Sequence, residues 1–514
     1  MIRSLHQSLT HVFARSSAST PSNTSLDHHS PRVDARPVSA MKKTRTRTVG
    51  TLAACLAAVA GFGTDLQAQD LVIEAGTVIT GAGETIEDGV IVIQGGRIQA
   101  VGKAGEVEKP WDATVVGGPE FTAFPGFVEA YSDSGMDRAN ENIDVAPFLD
   151  IRDSIDPVAY YFEDALRYGI TTINVQQGQQ CVVGGQGMIV RPVGLTIEEM
   201  MVRPSHGLVM SAAPKRGKSR ATQAQALRRA FGDLRAYLED TVGKEKDQRG
   251  YAAREALFQG RELKGEDAKG RAMNSSGWTV EGLELIPRGA IDEKQAPLLD
   301  VVEGRRAVYF WCTTPLDVHR AIEVATDNGF LSRTVLVIDD SCWEAADAIA
   351  AAGVSVVLDG DLVHTRRDAV TGEEKETFVP GVLKDKGIRF ALSSQNSSTN
   401  SLWYQAALAT SHGLTREEAL AAVTSTAADI IGLGEEVGSI AKGKHGNVLL
   451  LSGDPLSVTT WVEHAVIEGK HVYDKSQDVR NRHLLDGTRP SNTEAVIEEV
   501  EGGDSKADEE DDSK

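Results

Sequence analysis

Residues 125–133, PGFVEAYSD, form the stretch that decides how the chain is interpreted. Residues two apart on a β-strand point to the same side, so Glu129, Tyr131 and Asp133 would share one face of a strand here. A carboxylate such as that of Asp133 can bind a hard cation, whereas a neutral phenol such as that of Tyr131 is a poor ligand. The stretch therefore predicts a strand that carries polar groups to one end of a sheet.

The middle of the chain alternates β-branched apolar runs with amphipathic helices. The predicted buried strands lie at residues 169–176, 304–312, 333–339, 353–360 and 387–395. Two predicted helices end at Gly329 and Gly353, and Thr415 with Glu418 forms a capping box before another. This alternation over about 300 residues predicts an α/β fold, a (β/α)8 TIM-like barrel, with an open doubly wound sheet as the alternative.

Short strands broken by Gly-rich turns flank this middle part on both sides. They fill residues 71–102 near the start and return at 438–455 and 462–474. We therefore predict a composite β-sandwich built from residues 70–124 and 433–475, around a barrel at 125–432. A charged helical insertion is predicted near 215–272, where apolar residues recur at helical spacing: Leu227, Phe231, Leu234 and Leu238.

The two ends of the chain have different compositions. A basic segment at Met41 followed by an apolar run predicts that residues 1–68 are a pre-sequence and secretory signal, with Met41 as the true start and export to the periplasm or beyond the cell. Lipid attachment at Cys55 is the alternative. Residues 476–514 are predicted to be an acidic, disordered tail. The formal net charge of −21 argues against nucleic acid as a partner, and the apolar run is too short for a membrane span.

Four cysteines are too few for a disulfide framework in a chain of 514 residues. Cys181, Cys312 and Cys342 have no metal-type spacing, which favours buried thiols. A bridge between Cys312 and Cys342 is the alternative in an oxidising compartment.

Six motifs, taken in order along the chain, resemble the amidohydrolase superfamily and its exported, imidazolonepropionase-like branch. They are IEDGVIVIQGGRIQAVG, PGFVEA, GITTINV, GGQGMIV, GLTREEALAAVTSTAADIIGLGEEVGSIAKGKHGNVLLL and DPL, between residues 86 and 456. The resemblance implies a barrel that holds one or two divalent metals such as Zn and hydrolyses non-peptide C–N bonds in cyclic amides or amidines. A metal would lower the pKa of bound water from about 15.7 toward 7.

The positions that the resemblance assigns to metal ligands and catalysis hold other residues. Tyr131 and Asp133 stand where the first strand should supply His-x-His. Val209 stands at the lysine position of the fourth strand, Trp311 or Cys312 at the histidine of the fifth, Asp339 or Asp340 at that of the sixth, and Gln395 at the catalytic aspartate. His206 and His364 are further candidates for the barrel mouth.

These departures predict a catalytically degenerate homologue without a cofactor, acting as a binding or structural subunit, with an intact paralogue as one candidate partner. Its pocket would suit a small uncharged polar ligand. The alternative is an active hydrolase with a rebuilt site, which is either metal-free or rich in oxygen ligands. In the oxygen-rich case, Asp133, Asp339 and Asp340 would form a carboxylate cluster that holds Ca²⁺ or Mg²⁺. Otherwise these three acids bond to local backbone or cap helices.

Overall fold

The computed structural model describes residues 70–258, 280–394 and 402–486. The first four strands are β1 (Leu71–Ile79), β2 (Thr85–Gln94), β3 (Arg97–Lys103) and β4 (Thr114–Pro125). β1 pairs antiparallel with β2 and parallel with β4, and β2 pairs antiparallel with β3. Gly95 and Gly96 both have positive φ angles in the two-residue turn between β2 and β3, a conformation that suits glycine in a tight hairpin.

The middle of the chain contains strands β5–β16 and most of the helices. The strands are β5 (Phe127–Ser132), β6 (Ile170–Val175), β7 (Val183–Gln186), β8 (Met188–Val190), β9 (Met201–Arg203), β10 (Gly207–Ser211), β11 (Ala307–Cys312), β12 (Thr334–Ile338), β13 (Ser355–Leu358), β14 (Val363–Arg367), β15 (Glu374–Phe378) and β16 (Phe390–Leu392). The helices are α1 (Tyr160–Arg167), α2 (Ile197–Met200), α3 (Arg220–Phe258), α4 (Ala296–Val302), α5 (Pro315–Asp327), α6 (Ala346–Ala352), α7 (Val379–Asp385), α8 (Leu402–Ser411), α9 (Arg416–Ala422) and α10 (Ser425–Ile430).

Two sheets are built from the strands of this middle part, and β14 and β15 form a separate hairpin. One sheet has the order β16-β13-β12-β11-β10-β7 and is parallel except at β7, while the other has the order β5-β6-β8-β9. The larger sheet follows chain order from β10 to β16 without the reversal that marks a doubly wound fold. The mixed α/β class is confirmed, but the described strands are divided between two sheets and do not by themselves show a closed barrel.

The parallel strands are buried on both faces, which explains their nearly continuous apolar sequences. One face packs against helices through Leu208, Phe310, Cys312 and Leu336, all in the largest apolar cluster. The other face forms a separate cluster together with Tyr131 of β5. Its members on the larger sheet alternate with the first set: Val209, Tyr309, Trp311, Val335, Val337, Val357 and Ala391. We call this face the inner face of the sheet and its cluster the inner apolar cluster. It extends to the carboxyl ends of the strands.

A seven-stranded sheet is assembled from both ends of the described chain. Strands β17 (Val448–Leu451), β18 (Val462–Ile467) and β19 (Lys470–Asp474) continue the first four strands in the order β19-β18-β17-β4-β1-β2-β3. The join is antiparallel pairing of β17 with the end of β4, from Thr122 to Pro125. Helix α11 (Val479–Asp486) follows this sheet.

The long helix α3 packs its apolar side into the protein. Its residues Leu227, Phe231, Leu234 and Leu238 are all nearly inaccessible to solvent. The ring of Phe231 stacks on that of Phe330, with 5.5 Å between centroids.

None of the helices within the described ranges combines the length and the apolar character needed to cross a membrane. The predicted signal, most of the acidic tail and residues 259–272 of the predicted insertion lie outside the described residues.

We expect Leu450→Ala to lower the free energy of unfolding by about 2–5 kcal/mol. The smaller side chain leaves a cavity in the apolar packing against the seven-stranded sheet. Leu450 is completely buried on β17, beside β4. Urea unfolding followed by circular dichroism measures the change. Val458→Ala is the matched control, since that side chain is 74% exposed. Equal midpoints for both variants would contradict the inferred role of β17.

Candidate functional site

The carboxyl end of β5 carries Tyr131 into the inner apolar cluster. Its ring is fully buried, with its centroid 6.1 Å from that of Trp311 and 6.3 Å from that of Tyr309. Its hydroxyl donates to the backbone oxygen of Gln177 at 3.3 Å. Burial, followed by the nearby charge of Asp133, raises the pKa of Tyr131 well above its usual value. The phenol therefore stays protonated and acts as a packing group and hydrogen-bond donor.

The predicted site residues on β10 and β11 lie on opposite faces of the larger sheet. Val209 and Trp311 belong to the inner cluster, whereas Cys312 lies on the opposite face among helix-packing residues. Cys312 and Cys342 are unbridged thiols, with Cys342 Sγ 3.3 Å from the backbone oxygen of Cys312. The alternative of a disulfide between them is therefore wrong for this structure.

Asp339 and Asp340 follow β12 and take local structural roles. The side chain of Asp339 accepts from the backbone N–H of Asp340 at 2.9 Å, at the start of a short 3-10 helix. Oδ2 of Asp340 lies 2.9 Å from Nδ1 of His364. Burial raises the pKa of Asp339, and the side chain of Asp340 adds to the rise. The capping interpretation of Asp339 fits these contacts, and His364 is held by Asp340.

His206 lies at the opposite end of the sheet from the predicted mouth. It immediately precedes β10, and its Nε2 is 3.1 Å from the hydroxyl of Tyr309. The expectation that His206 reaches the mouth is therefore wrong, because β10 begins one residue after it. Gln395 lies outside the described residues.

Asp359 is a buried carboxyl group that the sequence analysis missed. It follows β13 on the same face as Val357 and is only 2% exposed. Burial raises its pKa well above the usual value, and the charges of Glu129, Asp133 and Asp339 contribute in the same direction. Burial also raises the pKa of Asp133. The sequence signal was an acid two residues beyond an inward-facing valine at a strand end.

Glu129 joins β5 to the segment after β16. It is fully buried, and its Oε2 accepts from the backbone N–H of Ser394 at 3.1 Å and from the hydroxyl of the same residue. Its Oε1 has no hydrogen-bond partner among the described residues. Burial raises the pKa of Glu129 to about 7, against the lowering effect of the bonds from Ser394.

Three glutamines after β6 form a polar group that the sequence analysis also missed. Each has a buried amide atom that lacks a hydrogen-bond partner within the described ranges: Gln176 Oε1, Gln177 Nε2 and Gln179 Oε1. An unsatisfied buried amide costs about 1–3 kcal/mol unless water or a ligand bonds to it. The glutamine-rich sequence QQGQQ at 176–180, directly after a predicted strand, was the available signal.

The residues at the carboxyl ends of the strands do not fit the metal that the family resemblance implies. Within the part of the chain that the structure describes, no three side chains of His, Cys, Asp or Glu converge as metal ligands. Val209 and Trp311 offer no ligand atom for a divalent metal, and the buried phenol of Tyr131 keeps its proton. Zinc sites are built from thiolate, imidazole and carboxylate groups that converge on one point.

Comparison with known proteins supports the resemblance seen in the sequence. The amidohydrolase family model matches residues 386–473. The fold is similar to the crystal structure of an amidohydrolase from Thermotoga maritima MSB8, with a TM-score of 0.62 and 23% sequence identity, over 79% of this chain and 100% of that chain. The class of fold is thus that of an amidohydrolase. The family model covers the last part of the described chain, and membership of the superfamily and of its narrower branch stays a prediction from the motifs.

Two further structures are similar at a lower level. One is a zinc-bound adenosine deaminase from Xanthomonas campestris (16% identity, TM-score 0.43, over 84% of this chain and 97% of that chain). The other is a putative prolidase from Bifidobacterium longum (15% identity, TM-score 0.41, over 82% of this chain and 99% of that chain). A search of curated proteins found no match.

We expect Glu129→Gln to weaken the dependence of stability on pH. The folded protein holds a proton on Glu129 that the unfolded chain releases above its ordinary pKa of 4.5, and the folded pKa is about 7. The stability that this proton provides is complete below pH 4.5 and is lost as the pH rises through 7. The loss in the wild type is about 2–3 kcal/mol over that window. The amide in the variant loses no proton.

Urea unfolding at several pH values between 4.5 and 8 measures the effect for both proteins. Glu239→Gln, at an exposed position on α3, is the matched control and should follow the wild-type curve. Parallel curves for Glu129→Gln and the wild type would show that the carboxyl group titrates normally.

Proposed function

We propose that this protein is an amidohydrolase homologue that binds a small uncharged polar ligand and does not catalyse metal-dependent hydrolysis. The observation that carries the proposal is the fully buried ring of Tyr131, packed against Trp311 where the resemblance expects metal ligands. A metal hydrolase needs a bound water whose pKa has fallen toward 7. Two packed aromatic rings supply neither a ligand set nor an open coordination position.

We also propose that the two middle sheets are the halves of a (β/α)8 barrel. On one side, the continuous segment 183–190 contributes β7 to the larger sheet and β8 to the smaller one. On the other side, Glu129 accepts from Ser394, and the hydroxyl of Ser393 donates to the backbone oxygen of Tyr131 at 3.4 Å. These contacts support closure between β5 and β16. The seven-stranded sheet would then be the core of the composite β-sandwich at 70–124 and 433–475.

The ligand would bind at the carboxyl edge of the strands. Asp133, Asp339 and Asp359 make this edge acidic, which disfavours an anion. The unsatisfied amide atoms of Gln176 and Gln177 supply an acceptor and a donor, and the backbone of Gln177 is bonded to the hydroxyl of Tyr131. An uncharged ring that both donates and accepts hydrogen bonds fits this chemistry. The protein would hold such a ligand itself, or act beside an intact paralogue.

A second candidate is a hydrolase with a metal-free site. It is favoured by the raised pKa values of Asp133 and Asp359, because carboxyl groups with shifted pKa values serve as general acids and bases in many enzymes. The charges that act on Asp359 are those of other carboxyl groups, and negative charge at the site would disfavour a developing oxyanion. The binding role is therefore the better supported of the two.

We expect the purified full chain to hold less than stoichiometric Zn²⁺, Fe or Mn²⁺ and to leave cyclic amides intact. The double variant Tyr131→His with Asp133→His should also be inactive when zinc is added, because Val209 and Trp311 still provide no ligand at the neighbouring strands. Elemental analysis and a hydantoin hydrolysis assay measure both outcomes. A full equivalent of tightly bound metal, or turnover by either protein, would reject the degenerate site.

We expect hydantoin, an uncharged cyclic amide, to raise the thermal unfolding midpoint in a saturable way, because a ligand that binds the folded state stabilises it. Gln176→Ala should remove this rise by removing an amide at the site. Gln225→Ala, at an exposed position of α3, is the control and should respond like the wild type. The same response in Gln176→Ala and the wild type would place the ligand elsewhere.

A further inference from the structure

The amino edge of the parallel strands, opposite the candidate site, contains a cavity of about 460 Å³ lined by cationic side chains. Arginines stand just before the strands that form its wall: Arg305 near the start of β11, Arg333 before β12 and Arg389 before β16. Arg203, at the end of β9, adds a fourth guanidinium group. The cavity is thus a second, chemically distinct concave site.

Protein carboxylates balance only part of this charge. Arg203 pairs with Glu436 at 2.7 Å, and Arg305 pairs with Glu303 at 3.1 Å. The side chain of Arg333 makes no ion pair or hydrogen bond within the described residues. Arg389 donates to the hydroxyl of Ser355 at 3.0 Å, which fixes the guanidinium without neutralising it. Asp429 is the acidic residue in the described lining.

His206 adds a neutral hydrogen-bonding group to the same cavity. Burial, with the charges of Arg203 and Arg306, lowers the pKa of His206 to about 4, so the ring is uncharged at neutral pH. Its Nε2 faces the hydroxyl of Tyr309, which orients the ring at the base of the inner apolar cluster. The wall therefore combines fixed cations with a neutral imidazole.

We propose that this cavity binds a small oxyanion that carries phosphate or carboxylate groups. Guanidinium groups form short, charge-assisted hydrogen bonds with both kinds of anion, often through two parallel N–H donors. The volume lies within the range of about 300–1,000 Å³ that is usual for small-molecule sites. The chain as a whole is strongly anionic, at −21, so a collection of arginines at one concave point is not explained by general solubility. The inference is independent of the ligand proposed for the other edge.

The test is isothermal titration calorimetry of the full chain in an anion-poor buffer, with inorganic pyrophosphate and with citrate as probes. The wild type should bind one or both with saturation, and the stronger response would show whether phosphate or carboxylate is preferred. Arg333→Gln should weaken binding by about tenfold, the effect of removing one charge-assisted contact. This substitution leaves the described contacts of the fold intact, so loss of structure does not confuse the result.

Arg366→Gln is the matched control, because it removes one positive charge from an exposed hairpin residue that pairs with Glu344. Its affinity for the probes should stay within about twofold of the wild type. Arg389→Gln provides a second variant within the cavity and should also weaken binding. Absence of saturable binding in the wild type would overturn the proposal. Binding that Arg333→Gln and Arg389→Gln leave unchanged would overturn it as well.

Discussion

A buried carboxyl group lies where the two middle sheets meet. Glu129 on β5 accepts from the backbone and the hydroxyl of Ser394, just after β16, in a region without solvent. Burying a carboxylate is costly unless it gains hydrogen bonds or a proton, and Glu129 has the bonds on one oxygen and a pKa raised to about 7. This contact, with the bond from the hydroxyl of Ser393 to the backbone oxygen of Tyr131, links β5 to the segment after β16 on the strand that carries Tyr131.

The inner face of the sheet is lined by aromatic side chains. Tyr131, Tyr309 and Trp311 fill the interior with large rings, and such packing contributes stability through buried apolar area. Metal ligands at the same positions would instead require polar atoms that converge on an ion. The aromatic residues therefore contribute apolar packing at these positions, while the outer face makes the apolar contacts with the helices.

Much of the fold could be predicted from the sequence because its signals are local. The apolar runs at β11, β12 and β13 were visible, and Gly329 and Gly353 have the positive φ angles expected after α5 and α6. The site was harder to predict because its contacts are non-local. A single residue decides whether Trp311 or Cys312 faces inward, and the side chains beside Glu129 and Asp359 come from strands distant in sequence.

The pairing of β17 with β4 has a consequence for how the chain is made. The paired residues, such as Thr122 and Leu451, are more than three hundred positions apart, so the two strands cannot meet until the chain has been synthesised through β17. Until then one edge of β4, with the apolar side chains of Ala123 and Phe124, stays open to pairing with another nascent chain. Contacts of such long range also slow folding. A chaperone bound at that edge, or delayed collapse of this part of the chain, would prevent such pairing during translation.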